Sequence, residues 1–435
     1  MNSRTHTHQA PKIWHQISDY AAYGLLGMPL AMSALPVYVQ VPAYYTTQLG
    51  LTLASTGWVL FLARLFDTFQ DPLLGYWIDR LHSSSHGLQN WLMIAALGLA
   101  VAFAGLWLPP VATTYLALWL AVMLILTYTA HSMLNIAYLS WGAKLQHSEP
   151  HKSGVLLGAA AWREGAGLVG VIIASIAPSI IMLKPRPQIA WAMGWYSLSF
   201  SVLLMIAMFT LLRLSPKWQS SSGSHSKLRH NWSAIKANQA FRKLLLPYFF
   251  NAVSVAIPAT LVIFFIHDRL QAASKTALFL ASYFIAATIG LPVWVGLAKK
   301  IGVAPSWGIG MVLAILAFSS TAWLGAGDSN KYMIVCIVAG LALGADLALP
   351  PVLLAQVIGL NETAASYYGV WTLLGKLALA LSGLGLPILA YFGYQPGLAG
   401  SAALTLAYAI VPCVCKGMAL ILLVRSYSSY RKAAS

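Results

Sequence analysis

Twelve runs of apolar residues, each long enough to cross a bilayer, govern what this chain can fold into. They lie at roughly 20–43, 52–78, 91–109, 114–142, 154–181, 190–213, 242–266, 274–297, 305–325, 332–357, 366–392 and 398–424. A spanning helix takes about 20 apolar residues, and in hydrocarbon only helices and closed barrels satisfy every backbone polar group. The pattern predicts an all-α membrane protein of twelve transmembrane helices. Charge content agrees: 8% of the 435 residues are charged and 59% are hydrophobic, with mean hydropathy +0.72, against about 25% charged in a soluble domain. The net charge of +16 does not imply nucleic acid. Most Lys and Arg fall in short loops between the runs, where membrane topology places them.

The longest polar gap lies mid-chain. From Arg213 to Lys243 it carries Arg213, Lys217, Lys227, Arg229, Lys236, Arg242 and Lys243 and no acid, around the flexible run Ser220-Ser221-Ser222-Gly223-Ser224. The expected organisation is two six-helix bundles, 1–213 and 242–435, joined by a basic linker over 214–241. Lys299, Lys300, Arg425, Arg431 and Lys432 fall on the linker's side, so both termini are expected in the cytoplasm, with the bundles in the cell (inner) membrane. A weak repeat supports two halves. Ala34-Leu35-Pro36 in span 1 matches Ala256-Ile257-Pro258 in span 7, and Pro72 with Arg80 matches Pro292 with Lys300. The polar, His-rich start from Met1 to Gln16 has no h-region with a cleavage site, so no signal peptide is expected. Cys336, Cys413 and Cys415 sit in apolar segments and suggest neither disulfides nor a zinc site.

Span 2 breaks the apolar rule. Ala63-Arg64-Leu65-Phe66-Asp67-Thr68-Phe69-Gln70-Asp71-Pro72 holds three charges, including two of only ten acids in the chain. Charges at bilayer depth are costly and mark an ion or solute path. Arg64, Asp67 and Asp71 fall within about 60° of arc on one helix face. Two carboxylates one turn apart need a bound cation, a proton or a basic partner. Oxygen from Asp67, Asp71, the Gln70 amide and a neighbouring hydroxyl suits Na⁺. Arg64 could instead neutralise Asp67 or Asp71 as an internal salt bridge. Pro72 could free a further carbonyl.

Other intramembrane charges are Arg163 and Glu164 in span 5, Asp346 in span 10, Lys376 in span 11 and Lys416 in span 12. Lys376 is too deep to snorkel and needs a carboxylate, with Asp67, Asp71 and Asp346 as candidates. Lys416, nearer its span's end, is expected to snorkel. Asp79 and Arg80, closing span 2, suggest a gate or latch. Most tryptophans, Trp58, Trp77, Trp91, Trp107, Trp119 and Trp141 among them, are expected as interface anchors. Tyr138 and Trp162 neighbour the polar positions and could stack on a ligand ring. No nucleophile elbow, metal-ligand cluster or nucleotide motif appears, so no enzyme and no cofactor is expected.

These residues resemble the glycoside–pentoside–hexuronide:cation symporters (the melibiose-permease type) of the major facilitator superfamily. The resemblance rests on Tyr44-Tyr45-Thr46 with Leu49-Gly50-Leu51, on Arg64, Asp67, Asp71, Pro72 and Gly75, on Trp162-Arg163, and on Tyr368-Gly369, Trp371-Thr372 and Lys376. It implies that Asp67 and Asp71 bind the coupling cation, that Gln70 stands at an amide position beside them, and that Ser132 completes the shell. It implies Arg163 in the solute cavity and Lys376 near the cation. The chain departs where the type member carries sugar-binding acids and a tryptophan: those positions fall near Ala31, Asn135 and Leu139. The expected function is symport of a small solute, a sugar or glycoside, with H⁺ or Na⁺ by a monomer. Asn135, Tyr138, Trp162, Arg163 and Lys376 are the expected solute-binding set. An amphipathic or lipid-like solute, or a transporter-derived receptor or scaffold, is the alternative.

Overall fold

The computed structural model describes residues 21–81, 85–145, 154–214, 237–357, 364–398 and 400–434. Among these residues all regular structure is helical, in twelve long helices. They are α1 (Gly27–Ala43), α2 (Leu53–Leu81), α3 (Ser85–Trp107), α4 (Leu116–Leu145), α5 (Gly154–Ile181), α6 (Arg186–Leu214), α7 (Gln239–Phe264), α8 (Thr276–Ile301), α9 (Val303–Ser320), α10 (Ser329–Val357), α11 (Ala364–Gly383, continued by Gly385–Tyr391) and α12 (Val411–Ala434). The mid-chain linker lies mostly outside the described residues. Asn238 caps α7 by accepting from the Phe241 N–H, so that helix starts a few residues earlier than hydropathy suggests.

Lipid exposure is written on the helix faces. On α6, Trp191, Trp195, Leu198, Val202, Ile206 and Phe209 are all at least half exposed, and their spacing of three and four residues makes one outward stripe. Such a surface is stable only in an apolar solvent. The inward faces pack aromatics: Phe103 stacks on Phe200 with centroids 3.9 Å apart. Trp107 corrects an expectation, because it is fully buried against Tyr44 and Phe103 rather than anchored at the interface.

Among the described residues ten helical segments are long and apolar enough to cross a membrane by composition. Helix α2 is not one of them, because Arg64, Asp67, Gln70 and Asp71 lower its hydropathy. In α5 the stretch Gly165–Ile181 is apolar. The polar load of α2 is the load the core has to hold.

The repeat has a structural counterpart. Proline lies inside α1 at Pro36 and inside α7 at Pro258. Each helix then widens into a π turn, Tyr44–Gln48 and Phe265–Arg269. The turns are closed by Leu49 N–H to Tyr44 C=O at 3.2 Å and by Leu270 N–H to Phe265 C=O at 3.0 Å. A left-handed residue follows each, Gly50 at φ 80° and Gln271 at φ 52°. Matching irregularities at matching positions are what duplication of a six-helix unit leaves behind.

Helices α2 and α11 bring the two sets of six helices together. A β-carbon on Gly57 would stand 2.2 Å from Pro387 Cδ and 2.8 Å from the Gly383 carbonyl, so glycine there permits the backbone approach. This contact lies toward the end of the bundle opposite the termini.

Candidate functional site

Helix α2 has two unlike faces. Leu62, Phe66, Phe69 and Leu73 are exposed at helical spacing, which turns Arg64, Asp67, Thr68 and Gln70 inward, where Arg64, Thr68 and Gln70 are buried. Helix α4 presents Thr129 and Ser132, one turn apart, and α11 presents Lys376.

These side chains form one closed network. Asp67 Oδ1 accepts from Gln70 Nε2 at 2.8 Å and from Ser132 Oγ at 3.2 Å. Thr129 Oγ1 donates to Gln70 Oε1 at 2.7 Å, which fixes the amide with its NH₂ toward Asp67. Lys376 Nζ lies 3.1 Å from Asp67 Oδ2, 2.6 Å from Asp71 Oδ2 and 3.1 Å from Ser132 Oγ. An ammonium has three protons, and here three oxygens receive them. The other oxygen of Asp71, Oδ1, is buried without a hydrogen-bond partner. Two carboxylates and one ammonium leave a formal charge of −1, beside a spare acceptor. That arrangement favours one more monovalent positive charge, a metal ion or a proton.

Arg64 does not form the internal salt bridge. Its Nε donates to Tyr128 OH at 3.2 Å, and its Nη1 to the Leu379 carbonyl at 2.6 Å and Ser382 Oγ at 3.1 Å. Its guanidinium carbon stands 5.6 Å from the Tyr38 ring centroid. Ser382 Oγ is itself 3.0 Å from Thr260 Oγ1 on α7. Arg64 and Lys376 thus make two neighbouring rungs between α2 and α11, one cation contributed from each side.

The structure brings Asp67, Gln70, Asp71, Ser132 and Lys376 together. Asn135 is half-buried one turn beyond Ser132 on α4. Tyr138 takes a packing position: it is buried, exchanges hydrogen bonds with Tyr23 through hydroxyls and carbonyls at 2.8 and 3.2 Å, and packs on its ring. Trp162 is 46% exposed, and its backbone sits on Gly24 of the segment leading into α1. Arg163 is half-buried, with its carbonyl and Cγ against Gly27. The side chains of Asp79, Arg80 and Glu164 lie outside the described residues.

Lys416 corrects a second expectation. It does not snorkel; Nζ pairs with Asp346 Oδ2 at 2.5 Å, both side chains are under a tenth exposed, and Trp307 Nε1 donates to Asp346 Oδ1 at 2.9 Å. This pair ties α9, α10 and α12 together within the second half, and it removes Asp346 as a partner for Lys376.

One site residue escaped sequence reasoning. His131, next to Ser132, lies 3.0 Å through Nδ1 from Ser33 Oγ, whose own proton goes to the Leu30 carbonyl at 2.9 Å. Nδ1 is therefore the donor, which leaves Nε2 as an acceptor in the neutral ring. The ring lies within electrostatic range of Lys376 and Asp71. Its signal was an intramembrane histidine beside a predicted ligand.

The family model described as MFS/sugar transport protein matches residues 20–429. Among curated relatives, the isoprimeverose transporter of Lactiplantibacillus pentosus is 24% identical over 429 residues, covering 94% of this chain and 86% of that protein. The sodium-dependent lysophosphatidylcholine symporter 1-A of Danio rerio is 19% identical, covering 90% and 80%. Among solved structures, the nucleoside transporter NupG superposes with a TM-score of 0.66 at 15% identity, over 95% of this chain and 98% of that one. The structural likeness shows the shared twelve-helix fold.

Proposed function

The chain belongs to the MFS/sugar transport protein family, the sugar/cation symporters of the major facilitator superfamily, and from that premise we propose a cation-coupled symporter of a small hydroxyl-rich solute, a sugar or glycoside. Its family is one of transporters, not enzymes. The observation that carries the proposal is the seat of Lys376, whose ammonium occupies the oxygens of Asp67, Asp71 and Ser132. A coupling cation (Na⁺ or H⁺) competes for those oxygens. When it arrives, its charge cancels the formal −1 of Asp67, Asp71 and Lys376, the carboxylates' hold on Lys376 weakens, and the α2–α11 rung loosens. Solute binding between the halves then favours closure at the other end, because a neutralised cavity is cheaper to desolvate.

In this reading the half-bundles 1–213 and 242–435 rock about the central site, the 214–241 linker and both termini face the cytoplasm, and the transporter works as a monomer in the cell membrane. Arg163, Trp162 and Asn135 line the solute path beside His131. Asp79 and Arg80 act at the cytoplasmic end of α2 as a latch. Ala31 and Asn135, where the family's type member has acids, set a solute preference different from galactosides.

A lysolipid is the second reading, favoured by the likeness to the Danio rerio lysophosphatidylcholine symporter and by the exposed Trp162 ring. Purified chain in proteoliposomes separates the two. Radiolabelled disaccharides are expected to accumulate under an inward Na⁺ or H⁺ gradient and not under K⁺ alone. Accumulation of lysophosphatidylcholine with no sugar uptake under any gradient would reverse the assignment.

A further inference from the structure

At the end of the bundle opposite the termini, a cavity of about 660 Å³ opens between the halves. One wall comes from the π turn that extends α1 and from the start of α2, with Thr46, Thr47 and Thr52. The other comes from the π turn that extends α7, with His267 and Asp268, and from Gln395 in the α11–α12 connection. The repeat-related turns therefore face each other across one cavity. A π turn widens the helix and re-aims its side chains, and such turns collect at functional sites.

The chemistry of the wall is one-sided. Thr46 Oγ1 donates to the Pro42 carbonyl at 2.8 Å, Thr47 Oγ1 to the Ala43 carbonyl at 2.7 Å and Thr52 Oγ1 to Ser55 Oγ at 2.8 Å. Their protons are committed, and lone pairs remain. His267 Nε2 lies 3.1 Å from Thr276 Oγ1, whose proton goes to the Ala273 carbonyl at 2.8 Å. Nε2 is therefore the donor and Nδ1 an acceptor. Asp268 is 8% exposed, and its Oδ2 accepts the Tyr394 hydroxyl. The cavity thus offers three hydroxyl oxygens, an imidazole nitrogen and a nearly buried carboxylate, with Gln395 able to serve either way. Anions are disfavoured there. The volume far exceeds a bare cation and matches a small organic ligand.

We propose that this cavity is a second solute site, which holds a polyhydroxylated molecule through hydroxyl donors to Asp268, His267 and the threonines, outside the closed α2–α11 contact. The proposal rests on the sugar-symport reading. Leu53 and Ala54 lie one turn outside Gly57, and Ala390 one turn outside Pro387, so the cavity begins where the seal ends. A solute held there touches both halves and waits on the path to the central carboxylates.

Cysteine protection tests it on the full chain in proteoliposomes, with Cys336→Ala, Cys413→Ala and Cys415→Ala as background. Thr47→Cys reports from one wall, and Gln395→Cys, on the exposed opposite wall, is the second reporter. A small charged methanethiosulfonate labels them with and without a mixture of maltose, cellobiose, melibiose and isoprimeverose. With sugar at about ten times Kd, labelling is expected to slow about tenfold, and Asp268→Asn to abolish most of that protection. Betaine, which has no hydrogen-bond donor, is expected to give none.

Unprotected labelling at both positions overturns the proposal, as does equal protection by betaine or protection by putrescine alone. Sugar uptake, measured in parallel on the unsubstituted chain, keeps the two readings apart. Uptake without protection removes the second site and leaves the symporter. Protection without uptake supports the site and removes the sugar as cargo.

Discussion

Replacing Lys376 by methionine keeps most of the side-chain volume and removes the charge that sits where the coupling cation is proposed to bind. The three contacts of its ammonium, at 2.6, 3.1 and 3.1 Å, are charged hydrogen bonds, a class worth about 1.5–3 kcal/mol each net of exchange with water. Breaking a buried pair costs about 3–5 kcal/mol net. The lower end applies, because about a fifth of the Lys376 and Asp71 side chains remains exposed. A competitor worth about 3 kcal/mol weakens the apparent affinity of a rival cation by about 150-fold. Lys376→Met is therefore expected to tighten binding of the coupling cation by about two orders of magnitude, while abolishing gradient-driven accumulation, since α11 is no longer released on binding. Na⁺, Li⁺ and H⁺ are titrated in turn on the purified chain by calorimetry and thermal unfolding. In the cycle with Asp71→Asn, the two changes are expected to be strongly non-additive. An affinity that is unchanged or weaker in Lys376→Met refutes the competition and places the cation away from the lysine's oxygens.

Lys416→Met or Asp346→Asn alone is expected to destabilise the second half by about 3–5 kcal/mol, and the pair Lys416→Met with Asp346→Leu to recover most of it; equal losses in single and double variants, by thermal unfolding, would show that the ion pair is net stabilising. Gly57→Val forces a β-carbon into the space of Pro387 and is expected to part α2 from α11, lengthening the spin-label distance between Ala54→Cys and Ala390→Cys by more than about 5 Å; an unchanged distance distribution would show that the contact yields elsewhere. Ser222→Cys is expected to resist an impermeant thiol reagent applied to intact cells and to react after permeabilisation; labelling of intact cells would invert the proposed orientation.

The parts of the site legible in sequence were those where the bilayer makes a residue conspicuous. A charge in hydrocarbon needs a partner, and the helical period put Asp67 and Asp71 on one face; the network around Lys376 is the partner that rule demanded. The rule did not choose among three carboxylates for Lys376, because pairing across helices depends on the approach of α2 to α11. It also missed the direction of Arg64, which ignores the acids one and two turns away and reaches the Leu379 carbonyl and Ser382 Oγ on α11. Depth along a helix misjudged Lys416, since a lysine near a span's end can pair inward when Asp346 lies opposite. His131 carries no formal charge and was overlooked among apolar neighbours. The π turns left no local sequence signature; they are seen in the backbone hydrogen bonds, Leu49 N–H to Tyr44 C=O and Leu270 N–H to Phe265 C=O.

Solute-evoked cation movement bears most directly on the coupling claim. In proteoliposomes held without a voltage or ion gradient, addition of the transported solute is expected to draw labelled Na⁺, or protons read by an internal dye, into vesicles containing the unsubstituted chain. Asp67→Asn and Asp71→Asn are expected to abolish that cation entry while leaving a folded protein in the membrane. Solute-evoked cation entry that persists at the unsubstituted rate in both variants would contradict the account and leave the acid pair a structural role.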